Sequence, residues 1–331
     1  MREGAETFHK TSTSSEVNLY EGVLIKLRYS EDIFYVKGIS HPPGKVIAFP
    51  RYVIKNGKIV RNLKTYREQI EYAQEKYGHL LKKVNDKYIL EIPVEHIEKI
   101  LDPVKRAQEI SQKPQSPDEE IIAEFLDILY NCIDKNYVGV VGSRLLGVTG
   151  QEHDVDIVIL DSENALTLYE HLTYLKKVKR KHFNIPNSAL FRLYESHKDS
   201  LRISFEMYRE VVERRVLEGY YRGIQYFMRI LLMRKRRPLM STISVRKLRT
   251  NFSIVVDFNR KIYTTALTCP CIYTDSEIYI VTERGVFTET LKILGKSLVC
   301  GDLEEVVVAL PEGSRVMRWI YLGPSSWVSP V

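Results

Sequence analysis

Gly142, Ser143, Asp154 and Asp156 lie in one short stretch, VVGSRLLGVTGQEHDVDIVIL (Val140 to Leu160), whose spacing suits phosphate and metal chemistry. The apolar run Val138 to Val141 reads as a buried strand that breaks at Gly142 into a short Leu-rich segment able to open a helix. A glycine at such a break lets backbone N–H groups and a small hydroxyl approach an anion. In the strand that follows, alternation puts Asp154, Asp156, Val158 and Leu160 on one face and Val155, Ile157 and Ile159 on the other. Two like charges on one face repel unless something neutralises them. Divalent metal ions are one such neutraliser, and Mg²⁺ favours one or two protein carboxylates with substrate phosphates completing its shell. A solvated strand end behind a tight turn is the alternative.

The elements that must hold this stretch can be read on either side of it. Ser111 to Asp118 carries two prolines among polar residues and reads as a linker. Asp118 is placed to cap a helix from Glu119 to Asp134, in which Ile121, Ile122, Phe125, Ile128 and Leu129 recur at helical spacing. After the Asp strand, Ser162 can cap a helix through Leu175. Leu201 to Tyr208 alternates, with Ile203, Phe205 and Met207 on one face and Ser204, Glu206 and Tyr208 on the other, so a strand is expected there. From Glu210 to Met233 the apolar and aromatic residues suit a long helix, despite Gly219 and Gly223.

The motif resembles that of the DNA polymerase β-like nucleotidyltransferase superfamily: a strand, a Gly-Ser turn with a short helix, a strand bearing Asp-x-Asp, and a third carboxylate on a later strand. The resemblance implies that Gly142 and Ser143 hold a triphosphate, with Arg144 beside them to neutralise it, and that Asp154 and Asp156 are ligands of Mg²⁺ or Mn²⁺. Glu206, on the polar face of its expected strand, is the candidate third carboxylate and the base for an attacking hydroxyl. His153 departs from the small residue that many members carry before the first aspartate. A closer resemblance spans most of the chain. GISHPPGKVIAFPRY (Gly38 to Tyr52), the GS…DVD motif, YRGIQYFMR (Tyr221 to Arg229) and PCIY (Pro270 to Tyr273) are similar to an archaeal family described as predicted nucleotidyltransferases.

The chain has 331 residues, more than one compact core usually holds, so several domains are expected. The amino terminus, residues 1–16, reads as a polar tail without the apolar core of a secretory leader. Residues 17–110 read as a small α+β domain. It comprises strands at Val23 to Tyr29, Ile33 to Val36 and Lys87 to Ile92, a helix from Thr65 to Lys76, a helical turn at His96 to Leu101, and an edge strand carrying Pro50. After the linker 111–118, residues 119–240 form the expected nucleotidyltransferase domain with a mixed sheet. Residues 241–331 show short β-rich runs, Ser253 to Phe258, Lys261 to Leu267, Glu277 to Thr282, Ser297 to Cys300, Val306 to Leu310 and Arg315 to Leu322. That rhythm suggests an antiparallel barrel or sandwich, with an OB-like barrel among the options. The fold class expected is therefore α/β (α+β), with a β-barrel-like carboxy-terminal domain.

No apolar run approaches the length that crosses a bilayer, and a cytoplasmic protein without membrane contact is expected. Cys132, Cys269, Cys271 and Cys300 lack the spacing of a zinc site. The formal net charge is +7, and basic residues gather at Lys176 to His182, at Arg234, Lys235, Arg236 and Arg237, and at Arg246 to Arg249. Such clusters bind phosphate backbones by counterion release, so RNA or DNA joins a nucleoside triphosphate as an expected partner. A basic surface serves solubility equally well. The family reading implies transfer of a nucleoside monophosphate to a hydroxyl acceptor with release of pyrophosphate. The alternative is a non-catalytic nucleic-acid-binding or nucleotide-sensing protein that keeps the fold.

Overall fold

The computed structural model describes residues 19–84, 87–147, 154–234, 236–258, 267–275 and 278–331. In the first block, seven strands form one sheet: β1 (Leu24–Leu27), β2 (Ile33–Val36), β3 (Lys45–Lys55), β4 (Lys58–Asn62), β5 (Leu81–Val84), β6 (Lys87–Pro93) and β7 (Ile97–Leu101). The helix α1 (Tyr66–Tyr77) packs on it, opened by a capping box between Thr65 and Glu68. Two expectations change. Ile97–Leu101 pairs with β1 as a strand instead of forming a helical turn. Pro50 lies within the sheet, opposite Phe34, where β3 passes from pairing with β6 to pairing with β4. Its missing N–H therefore breaks no ladder on the outer side.

The linker is short. Helix α2 (Pro103–Gln112) is capped by Asp102, and α3 (Pro117–Tyr130) by Ser116, not by Asp118. Asp118 falls in the acidic first turn, where a carboxylate complements the helix dipole. There follow β8 (Val138–Val141), a turn of 3₁₀-helix at Gly142–Leu146, β9 (Asp154–Ile159), and the helices α4 (Ala165–Val178), α5 (Asn187–His197) and α6 (Phe205–Arg214). A hairpin comes next, β10 (Glu218–Tyr221) and β11 (Ile224–Leu231). The expected strand at Leu201 to Tyr208 is thus largely helix. Ser204 accepts a hydrogen bond from Met207 N–H as N-cap, and Tyr208, Val211 and Val212 bury one helical face. The expected long helix Glu210 to Met233 ends at Arg214, and Arg222 and Gly223, both at positive φ, make a two-residue hairpin turn inside it.

The central sheet has the order β10-β11-β9-β8, with β9 parallel to β11 and antiparallel to β8, so it is mixed. The short strand β12 (Met233–Arg234) pairs with β13 (Arg237–Pro238) just after β11. In the last block, β14 (Ser241–Asp257), β15 (Thr268–Cys269), β16 (Cys271–Asp275) and β17 (Ile278–Thr282) lead to α7 (Thr290–Leu294). The long strand β18 (Lys296–Leu310), β19 (Gly313–Tyr321) and β20 (Trp327–Pro330) complete it. Six of these strands form an open sheet in the order β14-β18-β19-β17-β16, with β20 on β18, while β15 extends the central sheet beside β11. No closed barrel occurs among the described residues. The runs Ser297 to Cys300 and Val306 to Leu310 are one strand, and the expected strand Lys261 to Leu267 lies, except for Leu267, outside the described residues.

Packing separates the two faces of the central sheet. Val155, Ile157 and Ile159 bury with Ile122, Phe125, Leu129, Leu168 and Leu172 against the helices α3 and α4. Val158 and Leu160, on the aspartate face, bury instead with Val23, Phe34, Val36, Val306, Val308 and Trp319. Both outer sheets therefore share one core with the central strand. The aspartates sit at the open end of the face that those sheets cover.

Candidate functional site

Gly142 has φ 70, a conformation that costs an L side chain roughly 1–2 kcal/mol. A Cβ at this position would lie 2.7 Å from Asp156 Oδ2. Backbone turn and carboxylate are therefore in contact, and only glycine fits between them. Leu145, in the same turn, buries with Leu24, Ile33 and Tyr52 of the first sheet, which fixes the turn against β1–β3. Ser143 is half-buried beside it.

Asp154 and Asp156 are both half-buried, and cross-strand register extends their face into two rows. One row runs Tyr220, Gln225, Asp154; the other runs Glu218, Phe227, Asp156, Val141. Tyr220 Oη donates to Gln225 Oε1 at 3.0 Å. Burial raises the phenol of Tyr220, opposed by the positive charge of Arg192 and assisted by Glu218 and Asp154. From the first sheet, Tyr52 and Tyr35 pack with Leu145 of the turn. Burial raises both phenols, and the negative charge of Asp156 adds to the rise in each.

The first sheet is fastened to β11 next to this site. Glu21 receives hydrogen bonds from Arg229, Lys37 and the Gly38 N–H. Burial opposes ionisation of Glu21, yet Arg229, Lys37 and that N–H hold its carboxyl below the usual range. The acid is consumed by this joint.

The expected roles fare differently. Gly142, Ser143, Asp154 and Asp156 come together. Arg144 does not face a phosphate: its side chain is 3 % exposed, its Nη2 donates to Asp118 Oδ2 at 2.9 Å, and its Nε donates to the Asp154 carbonyl at 3.2 Å. It braces the turn against α3 and β9. Glu206 lies in the first turn of α6 and on neither strand that flanks Asp154 and Asp156, because Ser204 caps a helix where alternation suggested a strand. The strand beside β9 is β11, and opposite Asp154 and Asp156 it presents Gln225 and Phe227, not a carboxylate. Glu218 shares the face one strand further out and pairs with Arg215 at 2.8 Å. Sequence reading set Tyr220 and Gln225 on a long helix, as part of a candidate substrate-facing wall, and so did not bring them, Phe227 or Glu218 beside the aspartates. The signal was Arg222-Gly223 between apolar-polar alternations.

Among the expected nucleic-acid contacts, Arg234 pairs with Glu163 at 3.0 Å, Arg236 donates to the Asn136 carbonyl at 2.7 Å, and Arg237 is exposed. Lys235 and His153 lie outside the described residues. Cys269 and Cys271 are buried, and burial pushes the Cys269 thiol up to about 12 and the Cys271 thiol well above its ordinary range. They are unreactive packing residues.

Among the described residues, no group of three or more His, Cys, Asp or Glu side chains is arranged to hold a metal ion. An all-protein cage is thus not offered. Two aspartates on one strand face beside a phosphate-sized turn do fit Mg²⁺, whose remaining ligands are ordinarily water and substrate phosphate. No described helix is long and apolar enough to cross a membrane. No protein-family model, curated protein or solved structure matches the chain.

Proposed function

We propose that the chain is a metal-dependent nucleotidyltransferase built on a polymerase β-like central domain, residues 119–240, between the α+β block 17–110 and the β-rich block 241–331. Its substrate is a nucleoside triphosphate, and a hydroxyl is the acceptor. The observation that carries this is the contact of Gly142 with Asp156. It supports a common site for a triphosphate and its metal, because phosphate-binding backbone and carboxylate meet at one point. Asp154 and Asp156 would hold Mg²⁺ or Mn²⁺, which when bound neutralises phosphate charge and stabilises the departing pyrophosphate. Ser143 and the backbone N–H groups of the turn hold the triphosphate tail. Arg144 acts at one remove by keeping the turn and the Asp154 backbone in register. Tyr35 and Tyr52 limit water on the side of the first sheet.

A second reading, nucleotide binding without transfer, is favoured by one observation. Phe227 and Gln225 stand opposite the aspartates on β11, and no carboxylate there is aligned to accept a proton from the acceptor. One experiment separates the two. The purified protein is incubated with each labelled nucleoside triphosphate, Mg²⁺ or Mn²⁺, and cellular RNA, protein and metabolites. A labelled product that forms with pyrophosphate release and is lost in Asp154→Ala/Asp156→Ala supports transfer. Saturable, metal-dependent nucleotide binding with no product supports the second reading. Binding and turnover unchanged in that variant would refute both.

A further inference from the structure

The Asp154 row does not end at the sheet edge. Tyr220 lies on β10, two strand spacings from Asp154 or about 10 Å, and the positive charge of Arg192, on α5, acts on its phenol. Arg192 itself is exposed. Its neighbour Phe191 is 54 % exposed, although Ala189 and Leu190 anchor the same helix in the core. Phe191 meets Phe205 edge to face at 6.0 Å between ring centres, and the Arg209 guanidinium lies 5.4 Å from the Phe205 ring. An exposed aromatic face backed by a second ring, with a guanidinium directed toward the metal-binding row, suits a planar ring carrying an anionic tail.

We propose that Phe191 and Arg192, with Tyr220, form the subsite for one nucleotide unit, its base stacked on Phe191 and its phosphate on Arg192. This rests on the reading of Asp154 and Asp156 as the metal–phosphate site and extends it to the base. Arg144 is spent inside the fold, so in this subsite Arg192 supplies the cation. The unit comes either from the free nucleoside triphosphate or from the end of a single-stranded nucleic acid. Base–aromatic stacking is the shared chemistry.

The test measures binding of Mg-ATP, inorganic tripolyphosphate and a short single-stranded oligoadenylate to wild type, Phe191→Ala, Phe191→Trp and Arg192→Ala. Phe191→Ala is expected to weaken ATP or the oligonucleotide about tenfold, and Phe191→Trp to restore it. Tripolyphosphate, which has no base, keeps its affinity in Phe191→Ala and loses it in Arg192→Ala. A loss confined to ATP identifies the incoming nucleotide as occupant, and a loss confined to the oligonucleotide identifies the acceptor strand. Unchanged affinity of both in Phe191→Ala, an equal loss for tripolyphosphate, or no binding by the wild type overturns the subsite. Unchanged ATP binding in Asp154→Ala/Asp156→Ala would instead overturn the metal-site reading, whatever Phe191 does.

Discussion

Two acidic centres of this protein invite comparison: the Asp154–Asp156 pair and the cluster around Glu289. Glu289 is 1 % exposed at the start of α7, with φ 56, and accepts hydrogen bonds from the Val216 and Leu217 N–H groups at 2.6 and 2.9 Å. Burial pushes its carboxyl up to about 7, against the pull of Arg215 and those N–H groups. Lys176 lies nearby with its Nζ on the Val212 carbonyl at 3.1 Å, and burial lowers it to about 8. By perturbation alone this cluster would pass for a catalytic centre. Yet its partners lie inside the fold, and it ties α4, the α6–β10 joint and α7 together. The aspartates, in contrast, stand half-buried at the mouth of a strand, beside a turn in which even a methyl group is excluded. Accessibility on a shared face, and not the size of an ionisation shift, is what selects the aspartates as the proposed site.

The contrast can be broken in several ways. The largest effect belongs to Asp154→Ala/Asp156→Ala, which is expected to lower pyrophosphate release by roughly 10³-fold, several kcal/mol of metal-borne stabilisation, while the protein stays folded. Glu289→Ala should do the reverse. It is expected to cost roughly 3–5 kcal/mol in a denaturant titration at pH 8, where the carboxylate is ionised, because the Val216 and Leu217 N–H groups lose their acceptor and Arg215 and Lys176 lose a buried counter-charge. The milder Glu289→Gln sharpens the point through pH. The folded protein keeps a proton on Glu289 up to about 7, whereas the unfolded chain releases it near 4.5, so this group makes stability fall as pH rises through that window. Glu21 slopes the other way: its folded carboxyl is held low, so its contribution is present above the ordinary range and is lost as pH falls through its folded value. Stability curves of Glu289→Gln against wild type should differ in slope between about 4.5 and 7 and not in acid below it.

Gly142→Ala is a smaller change, expected to cost about 1–2 kcal/mol in stability from its left-handed backbone and to weaken nucleotide binding by crowding Asp156. Smallest on the fold is the replacement of Arg234, Arg236 and Arg237 by Ala. It should leave the melting temperature nearly unchanged. RNA affinity should fall, with a salt slope shallower by about 2, since each neutralised single-strand phosphate contributes roughly 0.7. An unaltered slope would remove these arginines from any nucleic-acid surface.

The same contrast explains what could be read in the sequence. The Gly-Ser break and the Asp-x-Asp strand were legible because both rest on local rules, a positive-φ glycine and a period of two. Glu206 was misplaced because Leu201 to Tyr208 satisfies the strand period while Ser204 supplies a helix cap, and tertiary packing of Tyr208, Val211 and Val212 favours the helix. The β10–β11 hairpin was hidden because its aromatics also recur at helical intervals, although Gly223 marks the turn. The role of Arg144 was invisible: Asp118 is remote in sequence, and only the fold brings its carboxylate to the guanidinium. In the carboxy-terminal sheet, β18 runs unbroken where two strands were counted.

The most direct test of the metal–nucleotide site is Mn²⁺ binding followed by electron paramagnetic resonance, with and without nucleoside triphosphate, in wild type and in Asp154→Asn/Asp156→Asn. The asparagine pair keeps the size of both side chains while removing the charge. Wild type is expected to bind Mn²⁺ more tightly when nucleotide is present, and the double variant to lose that enhancement with an unchanged melting temperature. A double variant that binds Mn²⁺ and nucleotide as wild type does would contradict the assignment of Asp154 and Asp156.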